Sequence, residues 1–430
     1  MKVMFTCFAH NTHYYAVVPM AWALRAAGHE VRIVSQADLT DTIARSGLTA
    51  VPVSPPGWAA TDPASPELFE QIYRAGTSHV QHFDFTGRDS LQWTWEHLLG
   101  VEHVMVAALY ASMNNDRMIE GSVAFARSWQ PDLVIAETYT FAGAVAARSV
   151  GAAHARLVWG PDNAVRARQA FLAAAARQPD AHREDPTADW LAGVLARYGR
   201  EFDETVLTGQ WTIDTTPPSG RLDTGLRTVG VRYVPYNGPS AVPGFLREPS
   251  SRRRVCLTFG LTEREAGRGV TSMADILEAV ADLDAEFVAT LDATQLADVT
   301  RVPDNVRVAE FVPLNDLLPT CSAIVHQGGC GTRSTAELHG VPQLILTDGW
   351  DTELKGEHLE RVGAGLALPM AALTADGLRS RVARLLDEPS FAAGAEALRQ
   401  EVLAEPAPNE VVPLIEKLTA AHRDRAAVHA

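Results

Sequence analysis

The segment IVHQGGCGTRSTAELH, residues 324–339, gives the clearest local fold signal in the chain. An apolar strand runs into closely spaced glycines and then into a helical pattern over Arg333 to His339. Such a junction points backbone N–H groups and the positive end of a helix dipole at an anion. Glycines let the backbone approach the anion closely, and Thr332 adds a hydroxyl donor. The segment predicts a phosphate-binding junction, with a merely tight turn as the alternative.

Apolar strands and helices alternate on both sides of this segment. In the second half of the chain, strands are predicted over residues 255–259, 286–290, 306–309, 323–326 and 343–346. In the first half they are predicted over residues 2–8, 30–35, 132–136 and 153–159, with helices over 15–27 and 141–150. Alternation of this kind favours parallel sheets covered by helices. The predicted fold class is therefore α/β, with an independent α/β unit in each half.

The length of 430 residues exceeds what one hydrophobic core usually organises, so two domains are expected. The first is placed at residues 1–216, with a helical insertion rich in aromatic residues at about 66–129. A segment with many Pro and Gly residues, 217–250, is interpreted as a linker, and the second domain follows at 251–405. Residues 406–430 are expected to form a C-terminal helix and tail, with a frayed end from His422.

Composition excludes several classes of function. The net charge of −15 argues against a nucleic-acid partner, and Arg252 to Arg254 are interpreted as a solvated linker. The four cysteines are scattered without metal-ligand spacing, which indicates reduced thiols in a cytoplasmic protein. The amino terminus enters a strand directly, so no signal peptide is expected, and no apolar run is long enough to span a membrane.

The same glycines leave a second class of enzyme open. Gly329-Cys330-Gly331, followed by a strand ending at Asp348, roughly imitates the fingerprint of dinucleotide-binding enzymes. The match is imperfect, because Ser334 occupies the position of the third glycine. An NAD-dependent oxidoreductase therefore stays as one alternative, and a nucleotide-sugar epimerase on the same architecture as another.

Several motifs spread over nearly the whole chain resemble one known family, the GT-B glycosyltransferases of antibiotic biosynthesis. They are VVPMAWALRAAGHEV (17–31), GQWTID (209–214), YNGP (236–239), FVPL (311–314), the glycine-rich segment and GWDT (349–352). Within the family, the chain is similar to the deoxysugar transferases of macrolides and anthracyclines, especially the erythromycin-type desosaminyltransferase group. The resemblance implies two Rossmann-like domains facing across a cleft, an acceptor-binding first domain and a nucleotide-sugar-binding second domain.

The resemblance also implies the reaction. A hexosyl-type transferase would move a deoxysugar from a dTDP donor to a hydroxyl of a polyketide aglycone or intermediate, with inversion at the anomeric carbon. The sugar expected first is an amino-deoxysugar. Inversion needs a base that deprotonates the acceptor hydroxyl, and the pKa of histidine suits that role at neutral pH. His13, expected in the loop after the first strand, matches the position of the family's base, and His10 is the weaker candidate.

A catalytic histidine of this kind is usually oriented by a carboxylate. Glu137 follows the predicted strand at 132–136, at the same edge of the sheet, where relatives commonly place the shorter Asp. Asp116 is the reserve candidate.

Donor-binding residues also follow from the resemblance. The diphosphate is expected against Gly328, Gly329, Gly331 and Thr332, and the base near Phe311, Val312 and Pro313. Asp351 is expected to hold sugar hydroxyls, and Thr352 replaces a glutamine of hexose-using relatives, which suits a deoxysugar. Gln327 stands where the family often has a histidine that contacts the diphosphate, so stabilisation of the leaving group must depend on the helix end. No metal or other cofactor is expected, and the triplet Asp282-Leu283-Asp284 is interpreted as chance.

Partners are predicted from the aromatic residues of the insertion and from the resemblance. Aromatic and soft side chains concentrate in the insertion, where most are expected to be core and some to line an acceptor pocket: Phe83, Phe85, Trp93, Trp95, Tyr110 and Met113. By resemblance, a helper protein similar to a haem-less cytochrome monooxygenase is hypothesised to dock on this insertion, and a homodimer is left open. The expected small-molecule partners are the aglycone and the dTDP-sugar.

Overall fold

The computed structural model of the chain describes residues 1–55, 93–248, 250–259, 273–293, 295–297, 299–347 and 351–428. The chain divides into two compact units. The first contains Met1–Thr215, Arg221–Val231 and Pro406–Ala430, and the second contains Thr216–Gly220 and Arg232–Glu405.

The first unit is built on a seven-stranded sheet in the order β3-β2-β1-β4-β5-β6-β7. Its strands are β1 (Lys2–Thr6), β2 (Glu30–Gln36), β3 (Ala50–Ser54), β4 (Leu133–Glu137), β5 (Ala153–Val158), β6 (Thr212–Asp214) and β7 (Thr228–Gly230). Every neighbouring pair is parallel. The central strands β1, β4 and β5 are almost entirely buried, which explains their continuous apolar sequences.

Helices pack on this sheet, and their apolar side chains form a core with those of the strands. They are α1 (Asn11–Ala26), α2 (Thr40–Arg45), α3 (Trp95–Val104), a π-helical turn (Met105–Tyr110), α4 (Ala111–Met113), α5 (Asp116–Trp129), α6 (Ala142–Val150), α7 (Asn163–Ala175), α8 (Pro186–Ala196) and α9 (Thr205–Thr208). The amphipathic helices α5 and α6 pack against each other and on the sheet, where Met118, Val123 and Val145 join one apolar cluster.

The second unit has a six-stranded sheet in the order β10-β9-β8-β11-β12-β13. Its strands are β8 (Arg254–Thr258), β9 (Glu286–Thr290), β10 (Val306–Ala309), β11 (Ala323–His326), β12 (Gln343–Thr347) and β13 (Gly365–Pro369). All of its strand pairs are parallel as well. The helices are α10 (Met273–Val280), α11 (Leu314–Leu317), α12 (Cys330–His339), α13 (Thr352–Arg361), α14 (Ala375–Asp387) and α15 (Pro389–Ala404).

A last helix, α16 (Val412–Val428), returns to the first unit, where His422 stacks on Trp211 with ring centroids 5.4 Å apart. The expectation of a frayed end from His422 is therefore wrong, since the helix continues to Val428. Short 3₁₀ turns complete the secondary structure: Ala37–Leu39, Asp180–His182, Pro218–Gly220, Gly244–Leu246, Leu318–Thr320 and Met370–Ala372.

The segment interpreted as a linker has more structure than that interpretation allows. Its residues 228–230 form strand β7, which pairs with β6 through Thr212 to Asp214. Both of its ends, residues 217–220 and those from Arg232 onward, pack with the second unit, whereas residues 221–231 pack with the first. Arg254 is also not solvated, since it begins β8, is 3% exposed and pairs with Glu286.

The four cysteines are free thiols, with Cys7 and Cys256 buried. Among the residues that the structure describes, no helix combines the length and apolarity needed to cross a bilayer.

Candidate active site

The first candidate cluster lies at the carboxyl edge of the first sheet, where the strands end. Strands β1 and β4 run parallel in a register that pairs Thr6 with Ala136, so the residues that follow them meet at one edge. His13 reaches this edge from the first turn of α1, which begins at Asn11. Its expected place in a loop is therefore wrong, although its place after the first strand holds.

The structure brings His13 and Glu137 together across 124 residues of sequence. His13 Nδ1 lies 2.8 Å from Glu137 Oε1, with the histidine side chain 24% exposed and the glutamate side chain 0% exposed. A carboxylate accepts only, so this contact places a proton on Nδ1. The other ring nitrogen, Nε2, is then the one available to accept a proton from a substrate.

A third residue, Thr140, holds the carboxylate from behind and was missed by sequence reasoning. Its hydroxyl donates to Glu137 Oε2 at 2.6 Å and accepts the backbone N–H of Phe8 at 3.0 Å. The tight turn after β4, in which the Thr140 N–H donates to the Glu137 carbonyl, brings the side chain to this point. Both carboxylate oxygens of Glu137 therefore have a donor.

Aromatic rings surround the imidazole of His13. Phe8 lies 4.6 Å and Trp159 5.2 Å from it between ring centroids, and the planes of the His13 and Trp159 rings are 89° apart. His10 is also near, at 5.3 Å, but burial and the neighbouring His13 lower the pKa of His10 to about 4. With so low a pKa, His10 takes up a proton poorly at neutral pH, and it stays the weaker candidate for a base.

The reserve carboxylate does not belong to this cluster. Asp116 opens α5, has an exposed side chain and pairs with Arg197. An exposed carboxylate with its own arginine cannot orient His13, so that hypothesis is wrong.

The aromatic residues of the insertion are core where the structure describes them. Trp93, Tyr110 and Met113 are buried, and Trp95 stacks on Phe171 with ring centroids 5.4 Å apart. Phe83 and Phe85 lie outside the described residues.

The second candidate cluster lies at the carboxyl edge of the second sheet. Its members follow three strands of that sheet: Phe311 to Pro313 after β10, Gln327 to Thr332 after β11, and Asp351 and Thr352 after β12. Strands β11 and β12 are neighbours, and β10 is an outer strand of the sheet. In doubly wound sheets this is the edge where ligands bind. The predicted donor-binding residues are therefore brought to one side of the second unit.

The glycine segment forms the expected strand–turn–helix junction. Helix α12 begins at Cys330, with Gly329 as its N-cap and no side chain capping it. The amides of Cys330, Gly331 and Thr332 belong to the first turn, so they have no acceptor within the helix. These are the groups that the junction can offer to an anion.

Gly328 has a different role from the predicted contact with the diphosphate. Its φ of +84° shapes the turn, its N–H donates to His326 Nδ1 at 3.1 Å, and its carbonyl accepts from Lys355 Nζ at 2.9 Å. Because its N–H is already used, Gly328 is not an amide donor for a phosphate. Gln327 is engaged as well, since its side-chain amide donates to the carbonyl of Phe259.

Asp351 and Lys355 form an ion pair that was not predicted from the sequence. Lys355 Nζ lies 2.7 Å from Asp351 Oδ1, and the lysine side chain is 2% exposed. Burial alone would lower the pKa of Lys355, but Asp351 and the Cys330 thiol more than offset this and raise it. The spacing of four residues was the available signal, because such pairs meet on a helix face. Thr352 begins α13 beside them.

The expected base-binding residues differ in what they expose. Phe311 is 44% exposed, whereas Val312 is 2% exposed and packs in an apolar cluster. Pro313 is buried and precedes α11, where its carbonyl accepts the N–H groups of Asp316 and Leu317. A side-chain contact with a ligand is therefore open to Phe311, and Val312 supports it from the core.

The Asp282-Leu283-Asp284 triplet precedes β9 and so lies at the amino end of that strand, opposite the carboxyl edge. Asp284 pairs with Arg252 on the surface. This position agrees with the interpretation of the triplet as chance.

Comparison with known proteins identifies the family. Residues 22–260 match the N-terminal domain and residues 274–418 the C-terminal domain of the family model described as erythromycin biosynthesis protein CIII-like. The chain is 51% identical to 3-alpha-mycarosylerythronolide B desosaminyl transferase of Saccharopolyspora erythraea, over 99% of this chain and 100% of that protein. It is 52% identical to 10-deoxymethynolide desosaminyltransferase of Streptomyces venezuelae, over 98% of both chains.

Solved structures agree. The glycosyltransferase VinC in complex with dTDP is 39% identical and superposes with a TM-score of 0.83, over 98% of this chain and 100% of that chain. These comparisons give no support to an oxidoreductase or an epimerase. The chain therefore belongs to the erythromycin biosynthesis protein CIII-like family and is a GT-B glycosyltransferase of the macrolide and anthracycline deoxysugar group.

Proposed function

We propose that the chain transfers an amino-deoxysugar from a dTDP donor to a hydroxyl of a macrolide-type polyketide, with inversion at the anomeric carbon. The observation that carries the proposal is the contact of His13 Nδ1 with the fully buried Glu137 carboxylate, 2.8 Å away. A partly exposed imidazole backed by a buried carboxylate is the arrangement that a general base for an alcohol requires.

On the acceptor side, His13 Nε2 takes the proton of the acceptor hydroxyl as its oxygen attacks the anomeric carbon. The new C–O bond forms while the bond from the anomeric carbon to the diphosphate oxygen breaks, and dTDP leaves with that electron pair. The imidazolium that forms is stabilised by Glu137, whose second oxygen is held by Thr140. Phe8 and Trp159 limit the ring's freedom to turn.

On the donor side, the diphosphate binds the amides of Cys330, Gly331 and Thr332 and the Thr332 hydroxyl, at the positive end of α12. Gly328 and Gly329 shape the approach, and Gln327 holds the turn through Phe259. These dipoles stabilise the charge that develops on the leaving group.

The sugar and the base contact other loops of the same edge. Asp351 receives sugar hydroxyls through the oxygen that does not pair with Lys355, and Thr352 lies beside it. The exposed ring of Phe311 packs on the base, with Val312 and Pro313 beneath it.

Relatives support the choice of substrates. Two of the most similar proteins are named desosaminyltransferases, and a third, 47% identical, is tylactone mycaminosyltransferase of Streptomyces fradiae. VinC was solved with dTDP bound. By analogy, we assign this chain a dTDP-linked amino-deoxysugar and an acceptor of the macrolide class.

We propose that transfer needs no metal or other cofactor, because the amino-terminal end of α12 supplies positive potential at the diphosphate. A helper protein similar to a haem-less cytochrome monooxygenase and a homodimeric state remain hypotheses by resemblance. Full turnover by the purified chain alone would contradict the helper, and light scattering of the purified chain measures the oligomeric state.

Three measurements test the proposed function. Isothermal titration should detect binding of dTDP and not of NAD, and binding of NAD alone would overturn the assignment. With a panel of macrolide aglycones, His13→Ala should lower turnover by about 10²-fold or more while donor affinity stays nearly unchanged. Activity of that variant equal to wild type would remove His13 as the base. Mass spectrometry of the products, with and without a helper, identifies the acceptor and the sugar.

A further inference from the structure

Lys355 is a buried cation whose place in the reaction is not explained by the proposed contacts. Its side chain is 2% exposed, on helix α13 of the second unit. Lysine is almost never buried unless it is paired, because desolvation of the ammonium group is costly. The chain has three lysines among its 37 basic residues, Lys2, Lys355 and Lys417, so arginine is the usual cation here. A buried lysine at this position therefore indicates a specific role for its ammonium group.

The contacts of Lys355 join two different loops. Its Nζ lies 2.7 Å from Asp351 Oδ1, in the loop that follows β12. The same Nζ donates to the carbonyl of Gly328 at 2.9 Å, in the turn that follows β11. The other carboxylate oxygen, Asp351 Oδ2, lies 3.8 Å from Cys330 Sγ, at the first residue of α12. One ammonium group thus connects the residue proposed for the sugar with the turn proposed for the diphosphate.

Apart from Lys355, other contacts also restrain the turn at Gly328. Its N–H is fixed by His326 Nδ1, and a Cβ at this position would lie 3.0 Å from Thr352 and 3.1 Å from Ile345. The carbonyl that accepts from Lys355 is therefore the group whose release would let the turn rotate. Rotation there would change the direction of the amides that open α12.

We propose that Lys355 is a positioning residue that couples sugar recognition to diphosphate binding, by holding Asp351 through Oδ1 and the turn through the Gly328 carbonyl. This inference rests on the proposed function and deepens it. Asp351, whose side chain is 25% exposed, presents Oδ2 to the sugar only while Oδ1 is held. Because the pKa of Lys355 is raised, the ammonium group stays charged at neutral pH.

The experiment measures how strongly the chain prefers the sugar nucleotide over the nucleotide. Dissociation constants for dTDP, dTDP-desosamine and dTDP-glucose are determined by titration calorimetry for wild type and Lys355→Met. Met keeps the length of the side chain and removes the charge. We expect a loss of about 3- to 10-fold for dTDP and at least about 10-fold more for the sugar nucleotides, the range of a hydrogen bond to a charged group.

A double-mutant cycle separates coupling from two independent losses. Asp351→Asn alone should weaken the sugar nucleotides and spare dTDP. In the Asp351→Asn background, Lys355→Met should cause only its loss for dTDP, because the sugar contact is already gone. Lys417→Met, on an exposed lysine of α16, is the matched control and should leave all constants unchanged. Lys355→Gln, measured in parallel with thermal unfolding, should show the same altered preference and covers the case that the Met variant does not fold.

Each negative result of these titrations contradicts a different claim. If wild type does not bind dTDP, the proposed function fails. If wild type binds the sugar nucleotides no more tightly than dTDP, the role of Asp351 fails and the inference with it. If Lys355→Met or Lys355→Gln folds and keeps the wild-type preference, or if the two losses add fully in the double variant, Lys355 does not couple the loops.

Discussion

Replacing Glu137 by glutamine should reverse the proton arrangement on His13 while keeping the size of the side chain. The Thr140 hydroxyl accepts the N–H of Phe8, so its own proton points at Glu137 Oε2, 2.6 Å away. In the Gln variant, that position is best filled by the amide oxygen, which leaves the NH₂ group facing His13 Nδ1. His13 Nδ1 must then accept, and the proton moves to Nε2. A histidine protonated on Nε2 cannot act as the base for the acceptor.

The magnitude follows from the loss of the reactive tautomer. The same substitution of a carboxylate by an amide in serine proteases lowers kcat by about 10⁴-fold. Glu137 is fully buried, so solvent cannot replace the lost charge. We therefore expect kcat to fall by about 10³- to 10⁴-fold, which corresponds to about 4–5.5 kcal/mol of activation free energy. Dissociation constants for dTDP should not change, because the donor contacts lie in the second unit.

The assay is steady-state transfer to one macrolide aglycone at saturating donor, with ¹⁵N spectra of the imidazole to report the tautomer. Glu120→Gln is the matched control, because Glu120 is an exposed glutamate of the same unit that pairs with Arg197. Glu137→Asp tests the geometry, since related transferases commonly use Asp. Retention of kcat within about 3-fold of wild type in Glu137→Gln, with Nε2 shown to be protonated, would refute the dyad.

Three further outcomes are expected. Thr140→Val should lower kcat by about 10-fold or more, because the hydrogen bond to the charged Glu137 is lost. Thr140→Ser keeps the hydroxyl and should keep a kcat near that of wild type. Equal rates in the two variants would show that Thr140 only packs. Burial lowers the pKa of His154 to about 4, against 6.5 for the exposed side chain, so its contribution to stability is complete above pH 6.5 and falls as the pH drops toward 4. Between pH 7 and pH 5 this contribution falls by about 2 kcal/mol. In denaturant titrations, the free energy of unfolding of His154→Gln should therefore fall by about 2 kcal/mol less than that of wild type over this interval. Equal decreases in the two proteins would contradict the assignment. Dialysis against EDTA should leave transfer rates within about 2-fold of the untreated enzyme, and a loss reversed by Mg²⁺ would contradict metal-free transfer.

The sequence predicted those strands that have a strong physical signature. Strands β9 and β11 match their predicted bounds because largely buried parallel strands read as apolar runs. The outer strand β10 matches as well, although Val306 is its one buried residue. Strands β6 and β7 have three residues each, too few for any periodicity, and they were missed. Strand β3 was missed as well, since no residue of it is fully buried and Pro52 interrupts it.

The start of helix α1 shows a limit of the same kind. Its first residues, Asn11 to His13, are polar and only partly buried, so no apolar period marks them as helical. The predicted helix began at Tyr15, and His13 was assigned to the loop. The edge of the sheet was nevertheless predicted correctly, because parallel topology brings the ends of β1 and β4 together whatever the exact start of the helix.

Glycines show why composition cannot assign roles within a motif. The three glycines of the segment look alike in sequence, yet Gly328 has φ of +84° and both of its backbone polar groups occupied. Gly329 and Gly331 are exposed and lie at the opening of the helix. Only the backbone geometry separates the glycine that makes the turn from those that leave room for a ligand.

The two residues that sequence reasoning missed at the sites, Thr140 and Lys355, share one physical relation to the residues it found. Each holds one oxygen of a carboxylate and leaves the other oxygen for a functional contact: Thr140 behind Glu137, and Lys355 behind Asp351. Motif resemblance selects groups that touch the substrate, because the reaction fixes their chemistry. A supporting donor can be any side chain that reaches the right oxygen, so its residue type is not dictated by the reaction. Its identity becomes visible only when the packing of the fold places the two groups within hydrogen-bond distance.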